Sequence, residues 1–394
     1  MKISDKNIIT GMESTRKNPT KLLALAGLTL AIGLSMSQPS LAQVDGVLIP
    51  ADQAAAAVAD SSWEVSRFSW GDPNLEGTFT SRDMSSIPMQ RPVEYGNRAS
   101  LTVDEFQQRV AGGAGGLAAM RGGEEFEGEA RLQLSALDSA EVGTRTFGYT
   151  SYIIEPANGR LPALTEEGQQ RQVSASRGQA NGPFFTTEDF SYYDRCITRG
   201  VTGSILPSLY GDAMRIVQSP TEVAISYEML HDTRIIPLDH GRLEDPAIKQ
   251  YMGTSIGHFE GDTLVVETRN LTDKLSLARM AHSEEAVLTE RFTRIDAEMI
   301  NYSVTVEDSR TFVSPWTFRL TLTTQPDYEV LEYNCHEGNF FVANALRAEQ
   351  NYQRMAAQAR ANGQPVPARN VSDGGLQIYQ APASEDTVDI NSGQ

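Results

Sequence analysis

LTERFTRIDAEMINYSVTVEDS, residues 288–309, carries the pattern on which the fold turns. Arg291-Phe292-Thr293-Arg294-Ile295 interleaves apolar with polar residues, and Tyr302-Ser303-Val304-Thr305-Val306 alternates more strictly. Successive side chains of a strand point to opposite faces, so each run buries one face and wets the other. Asp296-Ala297-Glu298 lies between them as a turn, and the two runs read as antiparallel neighbours.

Outward from this pair, further short runs are rich in Val, Ile, Thr, Tyr and Phe: Val223 to Ile236, Thr263 to Thr268, Thr317 to Thr324 and Tyr328 to Tyr333. Glu260-Gly261-Asp262 and Gln325-Pro326-Asp327 punctuate them. Regular spacing with tight links predicts a mainly β fold, an antiparallel meander forming a barrel or sandwich with short peripheral helices. Thr102 before Val103-Asp104-Glu105 signals one such helix. Pro246 to Met252 looks helix-like, and another helix is expected to begin near Phe341.

Leu22 to Leu34 is a short apolar run, preceded by Lys2, Lys6, Arg16, Lys17 and Lys21 and followed by Ser40-Leu41-Ala42. That order is the n-region, h-region and cleavage site of a secretory signal peptide spanning 1–42. The run is shorter than the roughly 20 residues of a membrane-spanning helix and lacks positive charge on its C-terminal side. No Cys follows it to carry a lipid anchor, and Met12 is an alternative start. The mature chain is therefore expected to begin near Gln43, to be periplasmic or secreted, and to keep no stable membrane anchor. A lead-in at 43–69, one β-rich domain at 70–360 with a Gly-rich excursion near 110–135, and a disordered tail at 361–394 complete the expected organisation.

The formal charge of −18 becomes −21 once a segment with five basic and two acidic residues is removed. Like-charge repulsion then excludes nucleic acid as a partner. Cys196 and Cys335 are the two cysteines, and an oxidising compartment favours joining them, with free buried thiols as the alternative. No phosphate loop or dinucleotide fingerprint occurs in a strand-to-helix context, so no cofactor is expected. His231, His240, His258, His282 and His336 show no short metal-ligand spacing, and no metal is expected.

EPANGRLPALTEEG (155–168), RCITRG (195–200), ILPSLYGDAMRIVQSP (205–220), YEMLHDTRIIPLDH (227–240), GTSIGHFEGDTLVVETRNLTDK (253–274), the stretch quoted at the outset and YNCHEGNF (333–340) together resemble a large family of exported bacterial proteins. DPNLEGTFT and RPVEYGNRASLT look like its N-terminal part. The resemblance implies a lipocalin-like barrel and no particular activity, because fold does not determine function. Where that family often has Arg-Trp-Glu-Gly-Asp, this chain has His258-Phe259-Glu260-Gly261-Asp262.

Counting by two along one long strand sets Glu228, Asp232 and Arg234 on one face and His231 on the other, unless a bulge intervenes. In a barrel interior, Glu228 and Arg234 would offer a carboxylate and an anion-binding fork; a structural ion pair or a solvated face is the plainer alternative. His231 is the first candidate for acid–base work because histidine is the residue type whose unperturbed charge change falls near neutral pH. His336, Glu337 and Asn339, beside Cys335, either present polar groups at a barrel mouth or form a turn with Gly338, Asn339 capping the next helix. Asp273 and Lys274 follow a strand and are candidate ligand contacts. Gly253-Thr254-Ser255-Ile256-Gly257 matches a hydrolase nucleophile elbow but lacks the strand before it and the helix after it.

Three functions fit. The first is an acid–base enzyme of isomerase, hydratase, lyase or cyclase type acting on a small apolar or aromatic molecule in a barrel cavity. The second is a carrier or sensor of such a molecule. The third is hydrolysis of an ester, lactone or glycoside.

Overall fold

Strands form where alternation is strongest, and the alternation decides which faces they bury. The computed structural model describes residues 63–111, 147–175, 183–208, 210–238, 245–324 and 328–368, all within the unit Leu41–Gln394. The expected signal peptide at 1–42, the lead-in as far as 62, the Gly-rich stretch from 112 and the tail beyond 368 lie outside the described residues.

In chain order the strands are β1 (Gly77–Thr80), β2 (Ile153–Glu155), β3 (Ala213–Gln218), β4 (Glu222–Tyr227), β5 (Thr233–Pro237), β6 (Thr254–Glu260) and β7 (Thr263–Arg269). A short pair follows, β8 (Ser276–Leu277) and β9 (Met280–Ala281), and then β10 (Val287–Arg294), β11 (Met299–Glu307) and β12 (Trp316–Thr324). The α-helices are α1 (Val103–Ala111), α2 (Glu166–Ala175), α3 (Gly200–Gly203) and α4 (Phe341–Ala361). At α1 the expected cap is reciprocal: Thr102 Oγ1 accepts from the Glu105 amide at 3.3 Å, and Glu105 Oε2 accepts from the Thr102 amide at 2.7 Å.

Nine strands run in the order β5-β4-β3-β1-β12-β11-β10-β7-β6 as one antiparallel, nearly closed, barrel-shaped sheet. β2 joins the same edge of β12 as β1, pairing near Thr317 and Phe318 while β1 pairs with Thr323 and Thr324. The ends of the sheet meet at a parallel bridge between Leu238 and Gly257. A Cβ on Gly257 would stand 3.0 Å from Ile236 and 3.1 Å from Leu238, so the seam closes through a residue without a side chain.

Registered partners share a face, and the alternating set Ile216, Ile225, Val266, Leu288, Phe292, Val304 and Leu320 turns inward, each at most 1% exposed. Burying each such side chain stabilises the fold by roughly 1.5–3 kcal/mol. Among them lies a polar knot. Arg234 of β5 forks onto Glu290 of β10, with Nη1 donating to Oε1 at 3.0 Å and Nη2 to Oε2 at 2.6 Å. Arg234 Nη2 also reaches Ser255 Oγ at 3.0 Å and Thr268 Oγ1 at 3.1 Å, while the Tyr302 hydroxyl donates to Glu290 Oε1 at 3.1 Å. Burial opposes the Arg234 charge, but Glu290 and Tyr227 outweigh it and hold its pKa above the ordinary value. Burial first, and then the Glu290 carboxylate, push the Tyr302 phenol well above its own.

Three expectations are corrected. Val223 to Ile236 is two strands, β4 and β5, because Glu228 to Asp232 forms a tight turn in which Leu230 and His231 take φ of 63° and 44°. The face count from Glu228 to Arg234 therefore fails. Residues 328–333 are not a strand: Leu331 N–H donates to the Glu228 carboxylate at 3.4 Å rather than to a ladder. Pro246 to Met252 is turn and bend, and Ser255 lies inside β6 bonded to Arg234 and Thr268, so the elbow motif is structural.

Glu290→Gln is expected to lower stability by about 3–5 kcal/mol in denaturant unfolding, because it strands a buried guanidinium. Arg234→Met combined with Glu290→Met should cost less than the two single changes added together; a Glu290→Gln loss under about 1 kcal/mol would contradict this account of the core.

Candidate functional site

With the barrel interior filled by side chains, the space for a ligand lies outside it. A cleft of about 1240 Å3 opens there, and none of its lining residues belongs to β1–β7 or β10–β12. Its walls are the loop Glu188–Arg199, the segment Gly203–Tyr210, the first turns of α2, and residues 273–282 with the β8–β9 hairpin.

Each wall is tied down by an identifiable contact. Cys196 is joined to Cys335, 139 residues away, with Cα atoms 5.7 Å apart, as expected. Asn339 Nδ2 donates to the Asp194 carbonyl at 2.9 Å and approaches Cys196 Sγ at 3.4 Å, so the segment before α4 braces the loop. Phe184, Phe190 and Phe341 add an aromatic cluster, with Phe184 and Phe190 stacked at 4.2 Å and Phe341 edge-on to both. Asp212, paired with buried Arg82 at 3.0 Å, accepts from the Ser208 amide at 3.4 Å. Gln172 of α2 accepts from the Ala281 amide at 2.9 Å, and Thr202 of α3 accepts from the Ala278 amide at 2.8 Å.

The β8–β9 turn is made by Ala278 and Arg279, with φ of 47° and 69°. Two-residue turns with positive φ at both positions normally carry Asn or Gly, so this one stores backbone strain at the cleft rim. Its effect is to set Arg279 in the lining.

Three residues after Arg279 stands His282, 1% exposed and part of the same wall. Its Nδ1 is 2.9 Å from the Ser283 carbonyl. A carbonyl only accepts, so Nδ1 carries the proton of the neutral ring and Nε2 presents its lone pair. Nε2 has no hydrogen-bond partner. Ser283 is itself fixed by Asp308, which accepts from its amide and its hydroxyl, each at 2.7 Å. Burial works against the Asp308 carboxylate, yet these donors hold its pKa below the ordinary value. Burial also lowers His282, keeping the imidazole neutral.

Tyr193 and Tyr210 complete the cleft lining, with Tyr333 behind them. The Tyr193 hydroxyl meets those of Tyr210 at 3.1 Å and Tyr333 at 3.0 Å. Burial, then the two neighbouring phenols, raise Tyr193, which stays a neutral donor.

Of the residues expected from sequence to form a site, Asp273 and Lys274 line the cleft, and Asp273 faces Arg171 at 3.5 Å. Asn339 braces the cleft from behind and does not cap α4, whose first residue follows Phe340 without a side-chain cap. Gly338 adopts φ of 70°, as the turn reading requires, and leaves His336 and Glu337 exposed and outside the cleft. His231 is exposed on the β4–β5 turn and does not line the cleft. Glu228 accepts from the Tyr328 hydroxyl at 2.7 Å, while Arg234 is locked inside the barrel; the two are not brought together. His282 entered the sequence reading only as a histidine without metal-ligand spacing, and Arg199, Arg279 and the tyrosine trio were not expected as site residues. Ser283 and Asp308, 25 residues apart, define His282, and no local spacing marks them.

Among the described residues no group of His, Cys, Asp and Glu is placed to hold a metal ion, and no helix is long and apolar enough to cross a membrane. Scans of family models, curated proteins and solved structures find nothing that matches the chain.

Cys196→Ser with Cys335→Ser is expected to cost roughly 2–5 kcal/mol of stability. Amide exchange should rise first in 191–199 while β10–β12 stays protected; uniform loss of protection would contradict the disulfide's role as a brace for the cleft. A second measurement concerns His282. Its folded pKa lies below the ordinary 6.5, so the unfolded chain binds the extra proton and stability falls as pH drops below that value. His282→Asn should flatten the decline of Tm between pH 6.5 and 5, and an unchanged slope would remove His282 as its cause.

Proposed function

We propose that the protein is an exported acid–base enzyme that binds a small, largely apolar or aromatic molecule in this cleft, with His282 as the general base. The observation that carries the reading is a neutral imidazole in the cleft wall, its Nδ1 proton taken by Ser283 and its Nε2 lone pair unclaimed by the protein. A base held in one tautomer by a neighbour that is itself held, here by Asp308, is the arrangement such catalysis uses. Tyr193, kept protonated, is a donor for the complementary step. Phe190, Leu206, Pro207, Met229 and Leu275 supply an apolar lining for the body of the substrate. The secretory pattern of 1–42 and the disulfide support a periplasmic or secreted setting.

A carrier is the second reading. One observation favours it: Nε2 of His282 is closed off from solvent, so a substrate reaches it only after the wall gives slightly. Incubation of the protein with a bacterial small-molecule extract, followed by mass spectrometry of bound and altered species, separates the two. The enzyme reading expects products from the wild type, and a loss of roughly 10²–10⁴ in rate for His282→Gln with ligand still retained. The wild-type rate should fall with acid through a midpoint below 6.5, where the base becomes protonated. Recovery of an unaltered ligand from the wild type would make the protein a carrier.

A further inference from the structure

The charges of the cleft do not cancel where they stand. Its carboxylates are engaged: Glu167 by Arg310 and Arg171, Asp273 by Arg171, Glu188 by Arg195 at 2.9 Å, and Asp189 and Asp194 by amides and hydroxyls of their own turns. Arg199 and Arg279 are different. Among the described residues neither has a carboxylate within ion-pair distance, the Asp212 carboxylate near Arg199 being paired with Arg82, and both line the cleft. The Arg199 guanidinium lies over the Tyr193 ring, 5.8 Å from its centroid, and its Nη1 is out of water with no hydrogen-bond partner. Burial lowers its pKa, Tyr193, Asp212 and Tyr333 work against that, and the positive charge of Arg279 adds a little to the lowering, yet a guanidinium remains charged throughout the accessible range. Arg279 is exposed on the strained β8–β9 turn. A buried cation with an unsatisfied N–H is costly, and a second cation beside it raises that cost; an anion in the cleft removes both penalties.

We propose that the ligand of the cleft carries an oxyanion group, a carboxylate, sulfonate or phosphate, seated between Arg199 and Arg279 against the tyrosine trio, with its apolar body along Leu206, Met229 and Leu275. This rests on the reading of the cleft as a small-molecule site and narrows it to amphiphilic anions. A net negative protein repels such ligands at long range, so the two arginines also supply the local attraction that admits them.

The test uses two fluorescent probes of nearly the same shape, anilinonaphthalene sulfonate and its uncharged parent phenylnaphthylamine, titrated into the folded full chain. The anion is expected to bind about tenfold or more tightly than the parent, the size of a charge-assisted hydrogen bond to a desolvated cation. Arg199→Met should remove that preference and leave the parent's affinity within about twofold. Arg279→Met, on an exposed turn and without effect on the core, should weaken the anion alone by about threefold to tenfold and serves if the Arg199 variant does not fold. Equal binding of the two probes, or equal loss of both in the arginine variants, overturns the oxyanion site while leaving the cleft a binding site. Failure of both probes to bind the wild type overturns the small-molecule reading itself.

Discussion

The ion pair between Arg234 and Glu290 is the constraint to which the rest of the structure answers. Arg234 stands on β5 at one end of the sheet; beyond the neighbouring Tyr227 of β4, its partners stand on β6, β7 and β10 toward the other end. The backbone closes this seam with a bridge between Leu238 and Gly257, whereas the guanidinium and its hydroxyl partners cross it with a set of charge-assisted bonds. A slip of one residue in β5 would carry Arg234 to the outer face and leave Glu290 alone in an apolar interior. The knot therefore specifies register as well as contributing stability, and register is what an open-ended meander most needs.

Among the described residues the inward side chains of the barrel pack into a continuous core, and the open cleft is built from connections. The walls come from the loops before β3, from α2 and α3, and from the short hairpin between β7 and β10. Loops on a rigid scaffold commonly carry function because the scaffold absorbs the cost of holding them. Here the scaffold reaches out through few and specific ties: Cys335 and Asn339 to the loop, Asp212 to Ser208, Thr202 to the hairpin, Gln172 to β9. Asp308, which directly follows β11, fixes Ser283 and through it the ring of His282. Barrel and cleft are in this sense one mechanical object.

Much of the fold was legible and little of the site. Alternation in Arg291–Ile295 and Tyr302–Val306 gives the right pairing, because period two is a property of neighbours along the chain. The break at Glu228–Asp232 was not legible. Leu230 and His231 take positive φ without being Gly or Asn, so composition does not mark the turn. Tyr328–Tyr333 has the composition of a strand, but its amide at Leu331 goes to a side chain 103 residues away. The polar residues that stood out, Glu228 and Arg234, stood out for structural reasons: each is buried and therefore partnered. Asp273 and Lys274 do reach the cleft, as residues that follow directly after a strand often do. His282 gave no signal as a base, because what makes it one is the carbonyl of Ser283, a residue whose amide and hydroxyl are held by Asp308, 25 residues further along the chain.

The Ala278-Arg279 turn bears on how this protein can change over time. Each left-handed residue there costs about 1–2 kcal/mol that Gly or Asn would recover, so the turn is an inexpensive place to gain thermal tolerance. Replacing Arg279 would relax the backbone and strip the cleft rim of its exposed cation in one step. Glycine at Ala278 relaxes it without touching that charge. Selection for robustness and selection for ligand capture therefore pull apart at residue 279 and agree at residue 278, and drift in related chains should be freer at the first position of the turn than at the second.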